Sequence, residues 1–304
     1  MKIKNLLFVV LATVGSFTVS AQSNLLNAKT PEEIGKKTAA QLNSDNDKPL
    51  PYGYVHDRDV LMGKTIWEFI DIDERINFPL YYPIDTAFVG KERRSLFDVL
   101  VKNIKNGKIT EVYADDYFNT KKTLSDMSSS FRYTDTIQAG FDEINNFYDD
   151  YKSGRKVLDK QFINQQDLTA QDISGYKIKG YWYFDKRQGE LKYRLLAICP
   201  VTPEARDIGK DNPDVIDLFW VYFPAIRDVL HEAKAFNDKN SAMPITFDHL
   251  LNSRRFNGSI YKEENVYGDR EIQQYMKENS QNQLLESERI KEKIRSFESD
   301  MWNY

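Results

Sequence analysis

The apolar positions of this chain change their period several times, and each change marks an element. Across residues 59–77, Met62, Ile66, Trp67, Phe69, Ile70 and Ile76 recur mostly three and four apart, with Asp57 or Asp59 placed to cap the start. That spacing predicts a helix, although residues 66–72 taken alone also fit a strand. The helix must stop by Phe78, because Pro79 disfavours helical geometry in the residue before it. Leu80, Tyr81 and Tyr82 then read as a short extended piece closed by Pro83.

Ser95 followed by Asp98 has the form of a capped helix start, and Asn106 and Gly107 tolerate the left-handed conformation on which such a helix ends. Residues 108–113 follow as a strand. Similar wording returns later: Thr246, Phe247, Asp248 and Leu250 begin like a capped helix, Asn257 and Gly258 end it, and Ser259, Ile260 and Tyr261 occupy the strand position. A helix-turn-strand module is thus read twice, with an old duplication left open.

Residues 114–172 are largely polar, interrupted by an aromatic helix around residues 141–151. Residues 176–184 and 191–199 alternate and are rich in aromatic and β-branched side chains, which makes them the clearest hairpin in the chain. Another strand-like run covers residues 215–223, and after Pro224 residues 225–236 read as a helix. Residues 269–300 hold no Gly or Pro and are rich in Glu, Gln, Lys and Arg, so a long helix is expected there. Its Ile290, Ile294, Phe297 and Met301 form a narrow apolar seam that either packs on its own domain or docks a partner, with Trp302 adding apolar weight at the end. The class these elements predict is α+β: short antiparallel strands with packed helices and a long C-terminal helix.

The first residues change the picture of where the chain works. Lys2 and Lys4 precede an apolar run over residues 6–14, and small residues lead to Ala21, the form of a secretory signal cleaved there. The run is shorter than the roughly 20 residues of a membrane span, and no later segment approaches that length. The expected organisation is a signal peptide over 1–21, a polar flexible arm over 22–51, an α+β core over 52–268 with sub-modules at 52–113 and 176–268, and a C-terminal helix and tail over 269–304. The single Cys, Cys199, lies in an apolar run and reads as a small core residue, so neither a disulfide within the chain nor a lipid at the cleavage point is expected. A formal net charge of −4 gives no basic footprint for nucleic acid.

Candidate chemistry is sparse. His56, His231 and His249 are far apart and none has a zinc-ligand spacing. Acid pairs occur at Asp71 and Asp73, Asp115 and Asp116, and Asp149 and Asp150, where solvated charge is the plainer reading beside glycosidase or divalent-cation chemistry. Residues 43–48 have the acid density of a calcium loop without its Gly and closing Glu. No nucleophile elbow, Walker loop or dinucleotide turn is present, so no catalytic set, cofactor or metal is expected. Aromatic residues are abundant, 18 Tyr, 18 Phe and 4 Trp, and strands such as the one holding Tyr181 and Tyr183 would leave rings outward for protein contacts.

Two stretches carry a resemblance. Trp67, Glu68, Phe69, Ile70 and Asp71, followed by the run from Glu74 through Asn77, Phe78, Pro79, Leu80, Tyr81, Tyr82 and Pro83, resemble the signature of the GldN/PorN family. Ser95, Leu96, Phe97 and Asp98 and then Asn106, Gly107 and Ile109 also look like that family, over nearly the whole mature chain. The resemblance implies a non-catalytic periplasmic component of the type IX secretion and gliding machinery of Bacteroidetes. It further implies copies of itself in a ring with a GldK/PorK-type outer-membrane lipoprotein, in contact with the periplasmic part of a GldL/GldM-type motor. Partner-contact candidates are Trp67, Tyr81, Tyr82, Tyr181, Tyr183, Ile290, Ile294, Phe297 and Trp302. The rival reading is a periplasmic binding protein or hydrolase with an unrecognised site, and a chaperone for secreted cargo is a third.

Overall fold

Three long strands organise the chain, and the first is formed by residues whose spacing predicted a helix. The computed structural model describes Thr30 and residues 48–87, 89–90, 93–123, 126, 131–203, 215–237, 245–277 and 279–302. The expected signal peptide and nearly all of the expected arm lie outside the described residues. By proximity the chain divides into Met1–Lys48 with Asn240–Met243, of which only Thr30 and Lys48 are described, and Pro49–Lys239 with Pro244–Tyr304. All elements named below belong to the second unit.

In chain order these are β1 (Val60–Asp71), α1 (Phe78–Tyr81), α2 (Leu96–Lys105), β2 (Arg132–Thr136), α3 (Gln138–Asn146), α4 (Tyr148–Lys152), β3 (Ile163–Asp167), β4 (Gly175–Asp185), β5 (Glu190–Pro203), β6 (Val215–Asp217), β7 (Val221–Tyr222), α5 (Phe223–Glu232), β8 (Lys234–Ala235), β9 (Ile245–Thr246), α6 (Phe247–Asn252), β10 (Ser259–Glu263), α7 (Ile272–Tyr275) and α8 (Ser280–Trp302). The main sheet has six antiparallel strands in the order β10-β1-β4-β5-β6, with β7 also paired to β5. The pairs β2-β3 and β8-β9 stand apart from it. This is the expected α+β class with antiparallel pairing and a C-terminal helix, built on central strands of 12, 11 and 14 residues rather than only short ones.

The helix expected over residues 59–77 is instead β1 and a 3-10 turn, Arg75–Asn77. The reason is burial on both faces. Ile66 and Ile70 point to one side of the sheet and Trp67 to the other, and all three are almost fully buried, so the strand loses the apolar-polar alternation that would have announced it. Residues 78–81 form a single helical turn with Pro79 at its start, where the missing N–H costs nothing, rather than the expected extended piece.

Both caps read from sequence are made. Ser95 Oγ accepts from the Asp98 amide at 3.2 Å and Thr246 Oγ1 from the His249 amide at 3.2 Å. Only the second helix is followed by a strand, however. Residues 108–113, expected as a strand, form none: Ile109 and Val112 turn into the core, and Tyr113 exchanges backbone bonds of 2.8 Å with Trp220 in an isolated bridge. The 269–300 helix is likewise divided, with Asp269 at a φ of 56°, the one-turn α7, and then α8.

The β4-β5 hairpin forms as expected, its turn closed by Gly189 N–H donating to the Asp185 carbonyl at 2.8 Å. Gly180 has a specific task within it, because a Cβ there would overlap the Tyr193 ring lying across β4. Alternation along β1, β4 and β5 sorts the core. One face packs Ile70, Tyr176, Ile178 and Ile198 against α2, α5 and α6, and farther along carries Ile66 under α8. The opposite face packs Trp67, Ala197 and Cys199 with Tyr113 and Trp220.

Candidate interaction surfaces

The face carrying Trp67 is built from facing residues of three strands. The register sets Trp67 of β1 opposite Lys179 of β4 and Lys262 of β10, so two ammonium groups converge on one indole, 4.9 and 4.2 Å from its ring centroid. Residues 115–120 close over them. Lys179 Nζ donates to the Asp116 carbonyl at 2.9 Å, Lys262 Nζ pairs with the Asp116 carboxylate at 2.9 Å, and the Tyr117 ring lies 4.4 and 4.7 Å from the two ammoniums. Asp115 shapes this cover by accepting the amides of Tyr117, Asn119 and Thr120, and Tyr117 Oη donates to Asp269 at 2.7 Å.

Burial pulls Lys179 below the usual lysine range although Asp116 opposes it. Burial acts on Lys262 in the same direction, but there the hydrogen bonds to Asp116 and Tyr117 outweigh it and hold the group above the usual range. Cation on aromatic face and cation on carboxylate fasten the cover onto the sheet, while the Trp67 indole N–H is buried with no hydrogen-bond partner among the described residues.

A second arrangement lies at the β4-β5 hairpin. The Tyr52 ring sits between the guanidiniums of Arg194 and Arg227, 4.7 and 4.2 Å from its centroid, and its hydroxyl donates to Asn252 at 2.8 Å. Arg194 also donates to the Gly53 carbonyl at 3.1 Å and Arg187 to that of Tyr54 at 2.9 Å. These bonds strap residues 50–55 across the sheet and leave a cleft of about 320 Å³ beneath them. Burial raises the Tyr52 phenol above its usual range, with the nearby arginines opposing the shift.

The partner-contact residues expected from sequence do not form one surface. Trp67 is 1% exposed and Tyr183 7%, so both are held inside this unit by the lysine layer and the hairpin. Tyr181 is half-buried and stacked on Tyr183 at 6.0 Å. The α8 seam is occupied by its own domain: Ile290 and Ile294 are buried against Ile66, Ile260 and Ile272, and Phe297 meets Phe184 edge-on at 5.8 Å. Burial therefore takes Trp67, Tyr183, Ile290 and Ile294 out of reach of a partner. The Trp302 side chain lies outside the described residues. Tyr82 is exposed, with Phe78 5.3 Å and half-buried Tyr81 4.9 Å away, and these rings do form a surface aromatic cluster.

Sequence reasoning missed other exposed apolar side chains. Leu284 and Leu285 stand on the outer side of α8, and Val266 and Tyr267 on the turn before α7. A signal for the α8 pair was that Leu284 and Leu285 lie off the spacing that puts Ile290, Ile294, Phe297 and Met301 on one face. Tyr52 was missed because Pro51 and Gly53 beside it break any periodic pattern, and nothing local marks an aromatic ring awaiting two distant arginines.

The residues weighed for chemistry have local jobs. His56 Nδ1 accepts from the Arg58 amide at 3.4 Å, and Asp71 accepts from that of Asp73 at 2.9 Å. Among the described residues no group of three or more His, Cys, Asp or Glu is placed to hold a metal ion. Nor, among them, is any helix long and apolar enough to cross a membrane. Cys199 is fully buried, which pushes its thiol well above the usual range.

What these surfaces define is an antiparallel sheet faced by helices, with aromatic residues outward and cation-aromatic clamps holding its loops. The sequence model of the family described as gliding motility associated protein GldN matches residues 55–303, and the chain belongs to that family. No curated protein matches the chain.

Proposed function

We propose that this gliding-associated protein is a non-catalytic structural component of the type IX secretion and gliding machinery, working in the periplasm. In this reading it assembles with copies of itself and a GldK/PorK-type outer-membrane lipoprotein into a ring. The ring in turn meets the periplasmic part of a GldL/GldM-type motor. The observation that carries the proposal is the family match over residues 55–303, nearly the whole of the β-sheet unit. The export-like N-terminus and the exposed Phe78-Tyr82 cluster support it, since aromatic residues suit the core of a protein interface.

The test is to tag the C-terminus, purify the protein gently from native envelopes, and image and weigh what accompanies it. Ring particles holding an outer-membrane lipoprotein, with gliding and secretion lost on deletion, are the expected result. A clean monomer from fully solubilised envelopes, with secretion intact in the deletion strain, overturns the proposal.

A further inference from the structure

The charges around the cleft under the Tyr52 strap are unevenly paired. Four cations line it: Arg187, Lys192, Arg194 and Arg227. Arg227 is forked onto Asp248 at 2.8 and 3.1 Å, Arg187 lies 3.1 Å from Asp59, and Lys192 lies 3.8 Å from Asp185 and 4.0 Å from Glu190. Arg194 alone among these four reaches no carboxylate of the described residues. Its one hydrogen bond there goes to the Gly53 carbonyl, and its guanidinium is held between the rings of Tyr52 and Tyr183, 4.7 and 5.7 Å from their centroids. A guanidinium carries five N–H donors in a fixed fork, so most of this one is left to pair with something else.

We propose that this cleft binds the carboxylate of an acidic peptide segment from a partner protein, with Arg194 as the anion-binding residue. A single guanidinium that reaches no carboxylate suits one carboxylate better than a dianionic phosphate. The flanking groups are tyrosine and arginine, the side chains that most often dominate protein-protein contacts, and aromatic walls strengthen an ion pair by excluding water from it. The cleft volume of about 320 Å³ admits side chains rather than a folded surface. The inference concerns this cleft alone and does not depend on ring assembly.

The probe is a fluorescein-labelled octapeptide of glutamate and glycine, titrated against the full chain and followed by anisotropy. Comparators are the same peptide with glutamine for glutamate and vesicles of anionic phospholipid. Saturable binding of the glutamate peptide, weakened about tenfold or more by Arg194→Gln and by the glutamine peptide, is expected. Lys108→Gln, outside the cleft, should leave it unchanged. Because Arg194 also anchors the strap, hydrogen exchange of the unaltered protein supplies a second readout, with slowed amides in residues 183–194 once the glutamate peptide is added. No saturable binding, equal binding of the glutamine peptide, equal loss with Lys108→Gln, stronger binding to the vesicles, or no slowing in residues 183–194 each overturns the proposal.

Discussion

Arg254 forks onto Glu68 through two hydrogen bonds of 2.9 and 2.8 Å, joining residues 186 apart in sequence. Glu68 is 1% exposed, and the guanidinium that neutralises it packs among Trp182, Tyr193 and Phe256. Arg254 takes a φ of 50°, a conformation side chains seldom adopt, in the turn after α6 that delivers it to β1. Removing the arginine leaves a carboxylate buried without a counter-charge. Arg254→Met should therefore cost about 3 kcal/mol in urea unfolding, and Glu68→Leu in the same chain should recover most of it. A double variant as unstable as the single one would show that the packing around Arg254, not its charge, matters.

Asn77 is a second long-range tie. Fully buried, it donates to the carbonyls of Asp71 at 2.7 Å and Asn257 at 3.0 Å, and accepts from the Asn257 amide at 2.9 Å. It thus joins the end of β1 to the approach to β10. Asn77→Ala strands three backbone groups, and a loss of about 2–3 kcal/mol is expected on thermal or denaturant unfolding. A neutral result would mean that water replaces all three bonds.

The two helix caps should behave alike because each satisfies one amide at the start of a core-packed helix. Ser95→Ala and Thr246→Ala are each expected to cost about 1 kcal/mol and to add when combined, as read from urea midpoints at constant slope.

Acid should loosen the cover over the lysine layer. Backbone hydrogen bonds, foremost from Asn119, hold the Asp115 carboxyl below its usual value, and burial opposes them only partly. A depressed carboxylate contributes stability that is complete above its unfolded pKa of about 3.9 and is lost as pH falls through the lower folded value. Amide exchange at Tyr117, Asn119 and Thr120, corrected for intrinsic rates, should therefore accelerate below about pH 4. Asp115→Ala should exchange fast at all pH values, and a pH response surviving in that variant would assign it to another group.

Cys199 offers a check on the Trp67 face. With the thiol buried and pushed far up, a thiol reagent at pH 8 should not label it in the native protein and should label it fully in denaturant. Rapid native labelling would show that this face opens.

Local features were legible from the chain alone. The caps at Ser95 and Thr246 and the β4-β5 hairpin each depend on residues close in sequence, and the family signature needs no folding at all. The α8 seam was legible too, though not which of its two destinations it takes. Strand β1 was misread because burial on both faces erased its period, and residues 108–113 because their pairing stops at isolated bridges around Tyr113 while Ile109 and Val112 turn into the core.

By itself, then, the sequence determined the α+β class, the two capped helix starts at Ser95 and Thr246, the central hairpin and the family, because propensity and short-range hydrogen bonds act within a few residues. Tertiary structure alone decided that β1 lies between β4 and β10, that Trp67 is an inner residue beneath two lysines, and that Arg194 reaches back 141 residues to Gly53. Those outcomes depend on which face is covered and which distant charge is near, and such long-range packing leaves no periodic trace in the order of residues.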